Sequence, residues 1–279
     1  MKRDGNTISL WQPDLPSYPS VSQNLPAQAE VIIVGGGITG LSTAIRLQLS
    51  GQSCVLIEAR EIGFGTTGGT TSHLNTILDT PYYQLKNDFG ENNARKVVKL
   101  TTEAITLAQN YVEQYSIDCG FAKKRAYLFS QEKEQSKELD KIVNSASDAG
   151  VQIQYSITTP IPIPFDGAAV AENQAQMHPI KYLFGIAQQF EKAGGVIIQN
   201  CRVKEVITEN NQTIVNTSKG KIAANFVVYA THIPPGINIL HFRCVPYRSY
   251  VMAVTLKSGS YPDALIYDLY SPYHYFRTQ

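Results

Sequence analysis

The stretch AEVIIVGGGITGLSTAIRLQLSGQSCVLIEAR, Ala29 to Arg60, decides how the rest of the chain is read. Ala29–Val34 is a short apolar run suited to a buried strand, and three adjacent glycines stop it. Ile38–Ser50 then carries apolar residues at helical spacing, at Leu41, Ala44, Ile45, Leu47 and Leu49. Gly51 ends that helix, and Ser53–Glu58 is a second strand that closes on an acid. Gly35, Gly37 and Gly40 therefore form G-x-G-x-x-G directly between a strand and a helix. The first glycine makes the tight turn, the second lets a pyrophosphate approach the backbone, and the third lets helix and strand pack closely. A phosphate there meets backbone N–H groups from Gly35 through Ile38, Thr39 and Gly40, at the positive end of the helix dipole. Glu58, 18 residues beyond Gly40, falls where an acid accepts hydrogen bonds from an adenosine ribose, with Ala59 and Arg60 beside it. An ordinary glycine-rich turn is the plain alternative. The order strand, glycines, helix, strand, acid predicts a dinucleotide site.

Working outward, the fingerprint alone does not separate NAD from FAD. Glu61–Asn75, EIGFGTTGGTTSHLN, has no useful period and reads as a loop. Its hydroxyls at Thr66, Thr67, Thr70, Thr71 and Ser72 suit a long cofactor whose second phosphate and ribityl chain need polar backing. Each threonine taken singly is equally a surface-loop hydroxyl. Later the chain returns with strands that end in FVVYATH, Phe226–His232. Together these features favour FAD. An NAD-dependent dehydrogenase would share Gly35–Glu58 but would have no use for the threonine loop.

The remaining composition narrows the classes. The 279 residues suffice for one large or two ordinary domains, and 43% hydrophobic with 17% charged residues is ordinary for a globular protein. A net charge of +1 gives no field to attract nucleic acid. No apolar run approaches the roughly 20 residues that span a membrane. The first 28 residues hold Pro13, Pro16, Pro19 and Pro26 without the apolar core of a secretory signal, and read as an extended arm pinned by Trp11. Cys54, Cys119, Cys201 and Cys244 are scattered and form no metal motif, so no metal is expected. A cytoplasmic protein with reduced thiols is the expectation. Asn92–Tyr115 reads as a long helix, Ala126–Ser130 as a strand, and Gln131–Ala149 as an amphipathic helix whose charges face solvent. Thr158–Phe165 reads as a proline-fixed crossing. His178-Pro179 opens a helix through Ala193. Strands divided by turns at Asn210-Asn211 and Lys219-Gly220 follow, with YVMAVTL (Tyr250–Leu256) and DALIYDLYS (Asp263–Ser271) strand-like after Pro234-Pro235.

The run VIIVGGGITGLSTAIRL…VLIEAREIGFGTTGGTTSH resembles the FAD-dependent D-amino-acid oxidase / glycine oxidase superfamily. SLW (Ser9–Trp11), GTTGGTTSHL, AQMHPIKYL (Ala175–Leu183), ATHIP and SPYHYFR (Ser271–Arg277) are similar to the subgroup in which a Rieske iron–sulfur domain follows the flavin domain. The resemblance implies an α/β fold: an FAD-binding Rossmann-like (βαβ) domain, with a second α+β substrate domain on a mixed or antiparallel sheet. The expected division is an arm over 1–28, the FAD domain over 29–80 and 166–234, and the substrate domain over 81–165 and 235–279. It implies that the backbone of Val203, in RVKEV, meets the adenine. It also implies that Ala230 and Thr231 close over the diphosphate. The family continues past the position of Gln279 into a glycine-rich segment, so the chain reads as C-terminally truncated, a fragment, or one part of a split protein.

Resemblance further implies oxidation of a C–N bond in a small-molecule amine or amino acid by hydride transfer to the flavin, with an iron–sulfur or other electron acceptor as partner. No dedicated general base is required, so the catalytic residues stay unknown. His73 is a candidate to lie near the isoalloxazine, or else a hydrogen-bonded loop histidine. Tyr273, Tyr275 and Arg277 are a candidate carboxylate clamp, or else one face of a plain strand, with His274 turned the other way. His178 reads as a helix cap. A flavin-binding module without turnover of its own is the alternative function.

Overall fold

The computed structural model describes residues 9–12, 15–22, 24–209, 212–233 and 249–279. In chain order its first elements are β1 (Gln28–Val34), α1 (Ile38–Leu49), β2 (Cys54–Ile57), a 3-10 turn (Thr66–Gly69), β3 (His73–Leu74), α2 (Tyr82–Phe89), α3 (Glu91–Tyr115) and β4 (Ala122–Ser130). There follow α4 (Lys133–Ala149), β5 (Ile153–Ser156), β6 (Gly167–Gln176), α5 (Pro179–Lys192) and β7 (Val196–Ile198). The last are β8 (Val203–Glu209), β9 (Gln212–Thr217), β10 (Gly220–Tyr229), β11 (Leu265–Asp268) and β12 (Tyr275–Phe276). Two compact units emerge. The first takes Met1–Thr70, Ile117–Cys119 and His178–Ala253; the second takes Thr71–Ser116, Gly120–Met177 and Val254–Gln279.

The first unit is built on a six-stranded sheet in the order β7-β2-β1-β10-β9-β8. β7, β2, β1 and β10 run parallel, while β10, β9 and β8 form an antiparallel meander. Val31–Val34 are all buried, as a central parallel strand covered on both faces requires. Leu41 and Ile45 of α1 and Leu56 and Ile57 of β2 are fully excluded from solvent. Each such side chain contributes about 1.5–3 kcal/mol of transfer free energy. α5 begins where His178 accepts the Lys181 N–H at its Nδ1, 3.3 Å away, with Pro179 in the first turn. That matches the expected cap. Trp11 pins the arm: its indole donates to the Thr70 carbonyl at 2.5 Å, and its ring meets His178 edge-on at 5.0 Å.

The second unit carries a sheet in the order β12-β11-β4-β6-β3, with β5 also paired to β6. Within this sheet only the β11–β4 pair is parallel among the described strands, so the sheet is mixed. Ala169 on β6 is fully buried. Its small side chain lets Leu139 and Val143 of α4 settle onto the sheet beside Leu128.

The structure departs from the sequence expectations in three places. Tyr250–Leu256 forms no strand, and Tyr250, Val251, Met252 and Val254 are exposed. An apolar, β-prone segment becomes a strand only when another strand satisfies its backbone groups, and none among the described residues does. Residues 71–80 and 166–177, expected with the nucleotide domain, belong to the second unit because β3 and β6 pair there; residues 117–119 and 249–253, expected with the substrate domain, join the first. The loop over Glu61–Asn75 contains both the 3-10 turn and β3. The expected turn at Asn210-Asn211, the Pro234-Pro235 pair and Cys244 lie outside the described residues.

Candidate functional site

In the first unit three strand ends converge. Val34 of β1 is in register with Ile57 of β2 on one side and Tyr229 of β10 on the other. Gly35, Glu58 and Ala230 therefore leave the sheet at the same carboxyl edge, where open α/β sheets bind ligands. Gly35 has φ +115°, and a Cβ there would lie 2.5 Å from the Ala230 carbonyl oxygen. A Cβ on Gly40 would lie 1.9 Å from the Gly35 carbonyl oxygen, so the helix can approach the strand only without one. Ala230 is itself anchored by its N–H to the Val34 carbonyl at 2.8 Å.

Glu58 organises this turn. One carboxylate oxygen accepts the Gly36 N–H at 2.6 Å, and the other accepts the Arg60 N–H at 2.7 Å. The Arg60 guanidinium lies over the Phe64 ring, 5.4 Å from its centre. Thr67 Oγ1 accepts the Ile38 N–H at 3.1 Å, and would sit 3.0 Å from a Cβ on Gly37. The threonine hydroxyl thus props the start of α1. Thr67→Val is expected to lower the unfolding free energy by about 1 kcal/mol, the net worth of one such bond. A denaturant midpoint equal to the parent's would reject that role.

The first turn of α1 holds no acidic side chain and Gly37 provides no side-chain cap. Beside the Ile38 N–H that Thr67 holds, the Thr39 and Gly40 N–H groups at the positive end of this 12-residue helix can take an anion. Together with the Cβ-free backbone at Gly35, this fits the pyrophosphate of a dinucleotide. Thr39 lies in the same first turn. Val203 opens β8, the outer strand of the meander at the edge of the sheet, and Thr231 Oγ1 donates to the Ile233 carbonyl at 2.7 Å. Thr66 lies in the 3-10 turn of this unit, whereas Thr71 and Ser72 belong to the second. The threonine run expected to act as one cluster is therefore shared out.

The catalytic candidates all fall in the second unit, and three of them, His73, Tyr275 and Tyr273, meet in a row. His73 Nδ1 lies 2.7 Å from the Tyr267 hydroxyl, which also accepts from Asn75 Nδ2 at 2.7 Å. The Tyr275 ring packs against His73 at 5.7 Å, and Tyr273 against Tyr275 at 5.7 Å. Burial, and then the charge of Arg277, push the His73 imidazole down to about 4, so it is neutral at ordinary pH. Arg277 is held differently from a clamp. Its Nη1 donates to the carbonyls of Thr71, Ser72 and Met177 at 2.7, 3.2 and 3.3 Å, and Nη2 to Gln279 Oε1 at 2.6 Å. A guanidinium tied to three backbone carbonyls stitches chain segments together and does not present an open fork. His274 turns to Asp268, with Nδ1 2.6 Å from a carboxylate oxygen. Sequence reasoning missed Asn75 and Tyr267, because neither carries a local motif and 192 residues separate them.

The fold and the glycine turn define a dinucleotide-binding protein of the Rossmann type. A family model described as FAD dependent oxidoreductase (DAO) matches residues 30–279, and the chain belongs to that family. Its cofactor is accordingly FAD. The chain is 30% identical over 261 residues to the Rieske 2Fe-2S iron-sulfur protein YhfW of Bacillus subtilis, covering 93% of this chain and 51% of that protein. It is 24% identical over 231 residues to gamma-glutamylputrescine oxidoreductase of Escherichia coli, covering 81% of this chain and 54% of the relative. Among solved structures, L-proline dehydrogenase from P. horikoshii superposes with a TM-score of 0.62 at 23% identity, over 74% of this chain and 54% of that one. The chain spans about half the length of the curated relatives it matches. Among the described residues, no helix is long and apolar enough to cross a membrane.

Proposed function

We propose that the chain is the flavin-holding part of an oxidoreductase that oxidises the C–N bond of a small amine or amino acid. The observation that carries this reading is the glycine turn at the carboxyl edge of β1, β2 and β10, combined with membership of the family. Gly35 and Gly37 let the diphosphate reach the backbone, and the N–H groups of Thr39 and Gly40 are assigned to it, beside Ile38, whose own N–H Thr67 holds. Glu58 keeps acceptor capacity for a ribose hydroxyl after binding two backbone N–H groups, with Ala59 and Arg60 flanking it. Val203 is assigned to the adenine, and Thr66, Thr67, Thr70, Thr71, Ser72, Ala230 and Thr231 to the rest of the cofactor. When bound, FAD supplies the hydride acceptor. The protein's own contribution is to orient a neutral amine and exclude water.

The first unit is then the cofactor domain and the second the substrate domain. The names of the glutamylputrescine and proline relatives support an amine or amino-acid substrate, and the YhfW relative supports an iron–sulfur electron acceptor. The buried thiols of Cys54 and Cys201, unbridged among the described residues, support a reducing, cytoplasmic setting. A second reading, a flavin-binding module without turnover of its own, rests on the same glycine turn.

The visible spectrum of the purified chain, with and without added FAD, tests both. Flavin bands that stay with the protein and bleach anaerobically with an amine or amino acid are the expected result. Bands that no amine bleaches would favour the module. A folded, colourless protein after FAD addition would reject both.

A further inference from the structure

Among the described residues, His73 Nε2 is buried and makes no hydrogen bond. Native proteins seldom leave such an atom unpaired, so it calls for an explanation. Its neighbours define what it offers. Burial pushes the Tyr267 hydroxyl upward, so it stays protonated and has one hydrogen to give. That oxygen already accepts from Asn75 Nδ2. The one acceptor within reach of its hydrogen, among the described residues, is His73 Nδ1 at 2.7 Å. With Nδ1 accepting, the proton of the neutral imidazole sits on Nε2. The Tyr267 ring stands at 90° to the imidazole with centres 5.1 Å apart, and Tyr275 packs at 5.7 Å, so the ring is held in place.

We propose that the Asn75–Tyr267–His73 relay reserves the buried His73 Nε2–H as a hydrogen-bond donor for an acceptor oxygen of a bound ligand, of the carbonyl or carboxylate kind. His73 is then a ligand-contacting residue, and Asn75 and Tyr267 are positioning residues that set its tautomer. The proposal rests on the flavoenzyme reading above and adds a specific contact to it. A flavin ring carbonyl and a substrate carboxylate share the required chemistry. The nearby Arg277, whose buried guanidinium is pushed down to about 10 and is still charged at neutral pH, favours oxygen with negative character.

Ring ¹H–¹⁵N correlation spectra of the full chain labelled at histidine, with His73→Gln to assign the signal among five histidines, test this. The expected result is an Nε2–H tautomer at pH 7 whose resonance moves on adding FAD or benzoate. Movement with FAD alone assigns the acceptor to the flavin; movement only with benzoate assigns it to a carboxylate. Asn75→Asp replaces the donor by an acceptor, so Tyr267 must donate to it and His73 must switch to the Nδ1–H tautomer. Binding of the ligand that moved the signal should then weaken about tenfold. Tyr267→Phe breaks the relay without adding charge and should mix the two tautomers. An Nδ1–H tautomer in the parent protein, or a resonance unmoved by either ligand, overturns the proposal. If FAD leaves no visible bands on the protein, the flavoenzyme reading fails separately, and the benzoate arm still decides the His73 site.

Discussion

Gly40→Ala is expected to leave the protein without flavin and destabilised by more than about 3 kcal/mol, at or above the top of the usual range for overpacking. The added methyl would lie 1.9 Å from the Gly35 carbonyl oxygen. Neither partner is the flexible end of a side chain. Relief requires α1 to move away from β1, or the turn at Gly35 to open. Gly35 cannot yield easily, because its own α-carbon faces the Ala230 carbonyl, with a Cβ placed there 2.5 Å away. The same shift displaces the first N–H groups of α1 from the phosphate position, so stability and cofactor retention fall together. Gly69→Ala is the control: a Cβ there meets nothing within 4 Å, and both properties should match the parent. Urea unfolding and the ratio of flavin to protein absorbance read the two effects. A Gly40→Ala protein that keeps its flavin would show that α1 does not need close contact with β1.

The second large effect is on acid stability. His73 has a folded-state pKa of about 4, lowered by burial and then by Arg277, against an ordinary value of 6.5. In the unfolded chain the imidazole takes up a proton as pH falls through 6.5, while in the folded protein it resists until about 4. The unfolded state therefore binds more protons throughout that window, and stability declines as pH drops across it. The difference integrates to about 3 kcal/mol. Unfolding free energies at pH 7, 5.5 and 4.5 for the parent and His73→Gln isolate it, since the carboxylates titrate alike in both. The parent should lose the additional stability and the variant should not. Parallel curves would show that His73 is not held neutral.

Some of this was legible in the chain alone, because the signals are local. The Gly35–Glu58 turn is built within about 30 residues, and the glycines, helix and acid appear in the order the sheet uses them. α3, α4 and α5 were readable from apolar spacing, and His178-Pro179 from capping chemistry. β6 was not. Gly167–Gln176 reads GAAVAENQAQ, with few of the branched or aromatic residues that mark strands. It lies inside the sheet because alanine leaves room for α4 above it, which is a fact about α4 and not about β6. Conversely, Tyr250–Leu256 has strand chemistry and no strand.

The sequence by itself determined the nucleotide turn, its acid and the family, since residues close in the chain carry all three. Tertiary structure alone decided the fates of the catalytic candidates. Arg277 reaches the Thr71 carbonyl across 206 residues, and His73 meets Tyr267 across 194. Such pairings depend on sheet register, and in a strand a shift of one residue turns every side chain to the opposite face. A tyrosine–arginine alternation therefore could not say whether it met a substrate or the backbone, and a loop histidine could not announce the relay that holds it.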